Sequence, residues 1–125
     1  MQSEKIVLID DEKLVRITTA MLLKHHGFEV ITAVNGEEGL AAVLEHSPCT
    51  VLLDIMMPGM DGWEVLRTLR KGEQTRSLFV IIFTACDLPV PEDISADNET
   101  ITIVKKPFHI QHLLSIIRNG ESSDG

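Results

Sequence analysis

Asp10 and Asp11 stand side by side directly after the aliphatic run Lys5-Ile6-Val7-Leu8-Ile9, and Asp54 directly follows Val51-Leu52-Leu53. Thr84 closes a third such run, Leu78 to Phe83, and Lys105-Lys106-Pro107 closes a fourth, Ile101 to Val104. Each chemically capable side chain thus lies at the tip of a strand-like segment and none lies inside one. Carboxylates brought together repel one another, at a cost in stability or by forcing protonation. A divalent cation relieves that repulsion, and a donor set made only of oxygen selects Mg2+ or Mn2+ over zinc. Mg2+ keeps several waters and then accepts phosphate oxygens, so a carboxylate beside it is poised to attack phosphorus. Lys106 offers a cation to the transferring oxygens, and Thr84 offers a hydroxyl donor. Phosphoryl transfer consists chiefly of such positioning and charge neutralisation.

The elements that must bring these tips together alternate along the chain. After Asp10-Asp11, Leu14, Ile17, Met21 and Leu22 fall at helical spacing, and Gly27 stops that helix. Phe28 to Ala33 reads as a second strand, and Asn35-Gly36 turns the chain into an alanine-rich helix through Leu40, Val43 and Leu44 that ends at Ser47-Pro48. Asp61 is a natural N-cap for a helix carrying Val65, Leu66 and Leu69, and a last helix places Ile110, Leu113, Leu114 and Ile117 on one face. Such alternation implies right-handed crossovers and a parallel sheet covered by helices on both sides, with the almost wholly apolar runs in the middle. Open sheets of this kind bind ligands beyond the carboxyl ends of their strands. One stretch resists: a helix between Thr84 and Lys106 would have to accept Pro89 and Pro91. Interior proline costs a helix about 3 kcal/mol, so a loop with a short helix is the expectation.

With 125 residues the chain makes one domain. The net charge of −8 argues against its holding nucleic acid directly, since phosphate binding depends on Lys and Arg. No stretch is long enough for a membrane span, and the first residues show no basic flank leading into an apolar block. Cys49 and Cys86 have neither zinc spacing nor the density of a disulfide framework, which suits a reduced cytoplasmic setting. Asn119 to Gly125 reads as a disordered tail or the beginning of a linker.

The residues Asp10-Asp11, Asp54 with Met57-Pro58-Gly59-Met60-Asp61-Gly62, Thr84-Ala85 and Lys106-Pro107-Phe108 together resemble the receiver domain of two-component response regulators, from about Lys5 to Arg118. The resemblance implies a flavodoxin-like (βα)5 fold with strand order 2-1-3-4-5, a short or irregular fourth helix, and a receiver over residues 1–119 followed by a tail at 120–125. It implies Asp54 as phosphoacceptor, Thr84 and Lys106 as the groups that hold the phosphorylated state, and a cis Lys106-Pro107 bond. It implies Mg2+ bound directly by Asp11 and Asp54 and by the backbone carbonyl of Met56, with Asp10 acting largely through water. The implied partners are a sensor histidine kinase or a histidine phosphotransfer protein, with a homodimer possible, and the implied chemistry is limited to the domain's own phosphorylation and dephosphorylation. Two departures stand out. Ile103 occupies the place of the aromatic residue that usually turns inward on activation, and the chain has no tyrosine. Met56 and Cys86, where similar proteins tune hydrolytic water, are uncharged. The expectation is phosphorylation read out through a surface other than the usual one.

Taken singly the pieces are weak: Asp-Asp after a strand is commonly a turn and helix cap, and threonine belongs in strands anyway. Asp61 reads as a cap only. His25-His26 suit a helix C-terminus, and His109 and His112 read as surface residues without further ligands. Cys49 reads as a small buried apolar residue. A Mg2+-dependent phosphatase would carry nucleophile and general acid as an Asp-x-Asp pair on one strand end, which neither Asp10 nor Asp54 makes, and Asp10-Asp11-Glu12 would repel the phosphate of a flavin nucleotide. A phosphorylation-silent interaction module is the remaining alternative, opposed by the intact acids and Lys106.

Overall fold

The computed structural model describes residues 4–57, 59–84, 90–95, 100–106 and 108–122. Five strands, β1 (Lys5–Ile9), β2 (Glu29–Ala33), β3 (Thr50–Asp54), β4 (Val80–Thr84) and β5 (Ile101–Lys105), alternate with α1 (Lys13–His25), α2 (Gly36–His46), α3 (Gly62–Lys71), α4 (Glu92–Ser95) and α5 (Ile110–Ser122). All pairings are parallel, in the order β2-β1-β3-β4-β5. The chain order reverses direction beside β1, which opens a crevice between the tips of β1 and β3. This is the expected flavodoxin-like architecture, and α4 is short as the prolines demand.

Strand parity divides the core. Val7, Ile9, Val51, Leu53, Val80 and Ile82 face α2 and α3, where Val43, Val65, Leu66 and Leu69 cover them. Ile6, Leu8, Leu52, Ile81, Phe83 and Val104 face α1 and α5, under Ala20, Leu23, Leu113, Leu114 and Ile117. Both faces of β3 and β4 are buried along their whole length, as the apolar runs at 51–53 and 80–83 require.

Local chemistry sets the helix ends. Asn35 caps α2 by accepting from the Glu38 N–H at 2.8 Å, while the Glu38 carboxylate accepts from the Val34 N–H at 3.2 Å. Asp61 caps α3 through the Glu64 N–H at 3.0 Å, which is the role its sequence position predicts. Gly27, at φ 96°, takes the left-handed turn that ends α1. Gly62 lets α3 start directly against the end of β3, because a Cβ there would come within 2.7 Å of the Asp54 carbonyl oxygen. Arg67 of α3 holds Asp93 of α4 at 2.8 Å.

One helix is right in extent and wrong in face. The apolar periodicity that predicts α1 is not its buried stripe: Leu14 is 80% exposed and Met21 66%, while Ile17 and Leu22 are also exposed. The side that meets the sheet carries Thr19, Ala20 and Leu23. Small residues allow the helix to lie close against β1, so its larger apolar side chains are left pointing outward. α5 runs on to Ser122, so helix and expected tail overlap from Gly120. Ala85 to Pro89, the residues 96–99 and Pro107 lie outside the described residues, and with them the expectations for Cys86 and for a cis bond before Pro107. Cys49 is half-buried against the α2/α3 side of the core, and burial pushes its thiol up to about 11.

Candidate functional site

Register and parity together assemble the pocket. Ile9 pairs with Leu53, so the next residues along, Asp10 and Asp54, emerge side by side at the tips of β1 and β3. Both have the parity of Leu8 and Leu52 and therefore point to the α1/α5 side of the sheet. Lys106 follows Lys105 with the parity of Val104, and its backbone N–H donates to the Thr84 carbonyl at 2.8 Å. That bond carries the β4–β5 ladder one residue further and fixes where the lysine leaves the sheet.

Three carboxylates surround the Lys106 ammonium. Nζ lies 3.4 Å from Asp10 Oδ2, 3.6 Å from Glu12 Oε1 and 3.7 Å from Asp54 Oδ2. It also sits 4.8 Å from the centre of the Phe83 ring, which packs edge-on against Phe108. Asp10 is 0% exposed and Asp54 2%. Asp10 is anchored at several atoms: its N–H donates to the Ala33 carbonyl, its Oδ1 accepts from the Glu12 N–H at 2.9 Å, and its carbonyl accepts from Arg16 at 3.0 Å. Asp54 Oδ1 accepts from the Met56 N–H at 3.2 Å. Burial pushes the Asp54 carboxyl up to about 7, with the Lys106 charge opposing and the neighbouring Asp10 charge adding to the rise.

Carboxyl oxygens of Asp10, Glu12 and Asp54 lie within 4.8 Å of one another. One ammonium cannot neutralise three carboxylates, and the surplus negative charge around a raised Asp54 suits a hard divalent cation bound by oxygen donors at this edge. Asp11 is exposed and outside this group. Met56 is exposed as well, with its N–H turned to Asp54. Thr84, buried at the tip of β4, has the opposite parity and lines a cleft with Ile55, Trp63, Ile82 and Ile103. The cleft has about 10 Å³ of free space, room for about one water. Glu12 is the site residue that sequence reasoning missed. Its only signal was its place as the third acid in the run Asp10-Asp11-Glu12.

A doubly wound sheet with buried aspartates and a lysine at its switch point defines an α/β domain with an acidic pocket, and similarity to known proteins gives its family. The family model for the response regulator receiver domain matches residues 6–118, and the chain belongs to that family. An uncharacterized transcriptional regulatory protein of Bacillus subtilis, YkoG, is 36% identical over all of this chain and 54% of its own length. A probable transcriptional regulator of Pyropia yezoensis, ycf27, is 38% identical over 94% of this chain and 47% of its own. The chain thus spans about half the length of these relatives. Among solved structures, the chemotaxis response regulator CheY4 of Vibrio cholerae superposes with a TM-score of 0.83 at 26% identity, covering 95% of this chain and 99% of its own. The N-terminal domain of a response regulator receiver protein from Methanoculleus marisnigri superposes with a TM-score of 0.73 at 34% identity, covering 92% and 94%. These relatives are named as regulators and receiver domains. Among the described residues no helix is long and apolar enough to cross a membrane.

Proposed function

We propose that this domain accepts a phosphoryl group from a phosphohistidine onto Asp54. The observation that carries the reading is the buried pair Asp10 and Asp54 with the Lys106 ammonium 3.4 and 3.7 Å away at one sheet edge. An ionised Asp54 oxygen attacks phosphorus, the phosphorus–nitrogen bond breaks, and its electron pair returns to the imidazole of the donor. Burial keeps Asp54 poorly solvated and so a strong nucleophile once ionised. Lys106 then pairs with the phosphoryl oxygens, whose charge of about −1.5 to −2 outweighs the carboxylate they replace.

Asp11, Asp54 and the Met56 carbonyl would hold Mg2+ directly, with Asp10 acting through water. The ion supplies charge neutralisation for the transferring oxygens. Thr84, one strand over, would donate its hydroxyl to the phosphoryl and leave the cleft beside Ile103. With an aliphatic residue there, 46% exposed, the response is read through a surface other than the usual one. The outward stripe of Leu14, Ile17 and Met21, on the helix that starts beside the pocket, supports docking by a helical partner bearing the phosphohistidine. The partner is a sensor histidine kinase or a histidine phosphotransfer protein, in a cytoplasmic setting. Direct contact with nucleic acid would fall to any output part of the kind its relatives are named for, not to this acidic domain.

Intact mass after incubation with acetyl phosphate and Mg2+ tests the reading. A gain of one phosphoryl mass by the wild type, absent in Asp54→Asn, is expected. No gain would leave the silent interaction module as the better account, with Ile103 as its support.

A further inference from the structure

Glu12 occupies the N-cap position of α1, with extended backbone at φ −82° and ψ 114°, yet its side chain makes no capping bond. A capping side chain normally accepts from the N–H two or three residues on. Here the carboxylate turns the other way and reaches the Lys106 ammonium at 3.6 Å. The Asp10 carboxylate holds the Glu12 N–H at 2.9 Å, which fixes the start of the helix beside the pocket and keeps the Glu12 side chain within reach of the lysine. The Glu12 side chain is 63% exposed, whereas the lysine it meets is 12% exposed. It can therefore withdraw into water, which Asp10 and Asp54 cannot.

We infer that Glu12 is a positioning residue, a displaceable counter-anion that holds Lys106 in the unmodified protein and yields it to the incoming phosphoryl group. The inference rests on Asp54 being the phosphoacceptor. Of the groups around Nζ, Asp10 is committed to the Glu12 N–H and Asp54 is the nucleophile itself. Glu12 is the one whose departure costs little burial. It competes with the phosphoryl oxygens for the same ammonium, and its charge also repels an anionic phosphodonor. Its presence slows phosphoryl uptake and favours the unmodified state. The exposed Asp11 is left for the cation.

The test is Glu12→Gln in the whole chain, which keeps shape and removes charge. Phosphoryl uptake from acetyl phosphate with saturating Mg2+ is expected to quicken, and beryllofluoride to bind more tightly, each by about two- to fivefold, the worth of a partly exposed ion pair. The Lys106 15Nζ resonance should differ between wild type and variant in the unmodified proteins and coincide in their beryllofluoride complexes. A purely structural role for Glu12 would not produce that convergence. Unchanged or slower uptake, or an unmoved Lys106 resonance, overturns the inference. So does a tenfold loss of Mg2+ affinity without a gain in uptake, which would make Glu12 an ion ligand. If wild type gains no phosphoryl mass, the phosphoacceptor reading falls and takes this one with it. Gain by wild type with unaltered kinetics in Glu12→Gln sinks this inference alone.

Discussion

Replacing Asp54 by asparagine should stabilise the cation-free protein, and by more as the pH rises. The wild-type carboxyl is pushed from its ordinary 3.8 to about 7 by burial, with the Asp10 charge adding and Lys106 and the Met56 N–H opposing. Between those two values the folded chain keeps a proton that the unfolded chain has released. Stability therefore falls as pH rises through the window: the contribution is complete below about 3.8 and gone above about 7. Each pH unit in the window is worth about 1.4 kcal/mol, so from about pH 5 to about pH 7 the upper limit is about 3 kcal/mol. Asparagine has the same outline and no charge, and its stability should not follow that slope. Urea unfolding in EDTA, followed by the fluorescence of Trp63, the sole tryptophan, measures both proteins across the range. The variant should pull ahead progressively above about pH 5, and Mg2+ at about pH 8 should restore wild type while leaving the variant nearly unmoved. An asparagine variant less stable than wild type at about pH 8, or a difference independent of pH, would refute the reasoning.

Lys106→Met removes the ammonium 3.7 Å from Asp54, so the Asp54 carboxyl should titrate above about 7 in the cation-free protein; 13C carboxyl NMR showing an unchanged or lower midpoint would contradict this. The two faces of α1 should separate cleanly. Leu23→Ala, at a fully buried position, should cost about 2–4 kcal/mol by denaturant unfolding. Leu14→Ala should change stability by less than about 0.5 kcal/mol while slowing transfer from a phosphohistidine protein but not from acetyl phosphate. Equal slowing with both donors would remove the docking role from that stripe.

Much of this arrangement was legible in the residues because parallel strands put their carboxyl ends on one edge. Chemistry at the ends of Ile9, Leu53 and Val104 could hardly be scattered once those runs paired. Asp61 and Asn35 announced their caps through local hydrogen bonding, which depends on a few neighbours only. The buried face of α1 was not legible, because periodicity reports where apolar residues line up and not which side meets the sheet. Ala20 and Thr19 won that side by being small enough for close approach. Glu12 escaped notice for a related reason. Its place beside Lys106 depends on where the Asp10 carboxylate anchors its N–H and starts α1, a three-dimensional detail that a run of three acids does not reveal. Thr84 belongs to the other parity, which strand tips alone do not distinguish unless residues are counted along each ladder.

The most direct measurement is borohydride trapping after exposure to a phosphohistidine protein and Mg2+, with the modified residue located by peptide sequencing in the mass spectrometer. An aspartyl phosphate is reduced to homoserine, and homoserine at position 54 and nowhere else is the predicted result. Homoserine at another acid, or none after demonstrated phosphoryl loss from the donor, would contradict the account.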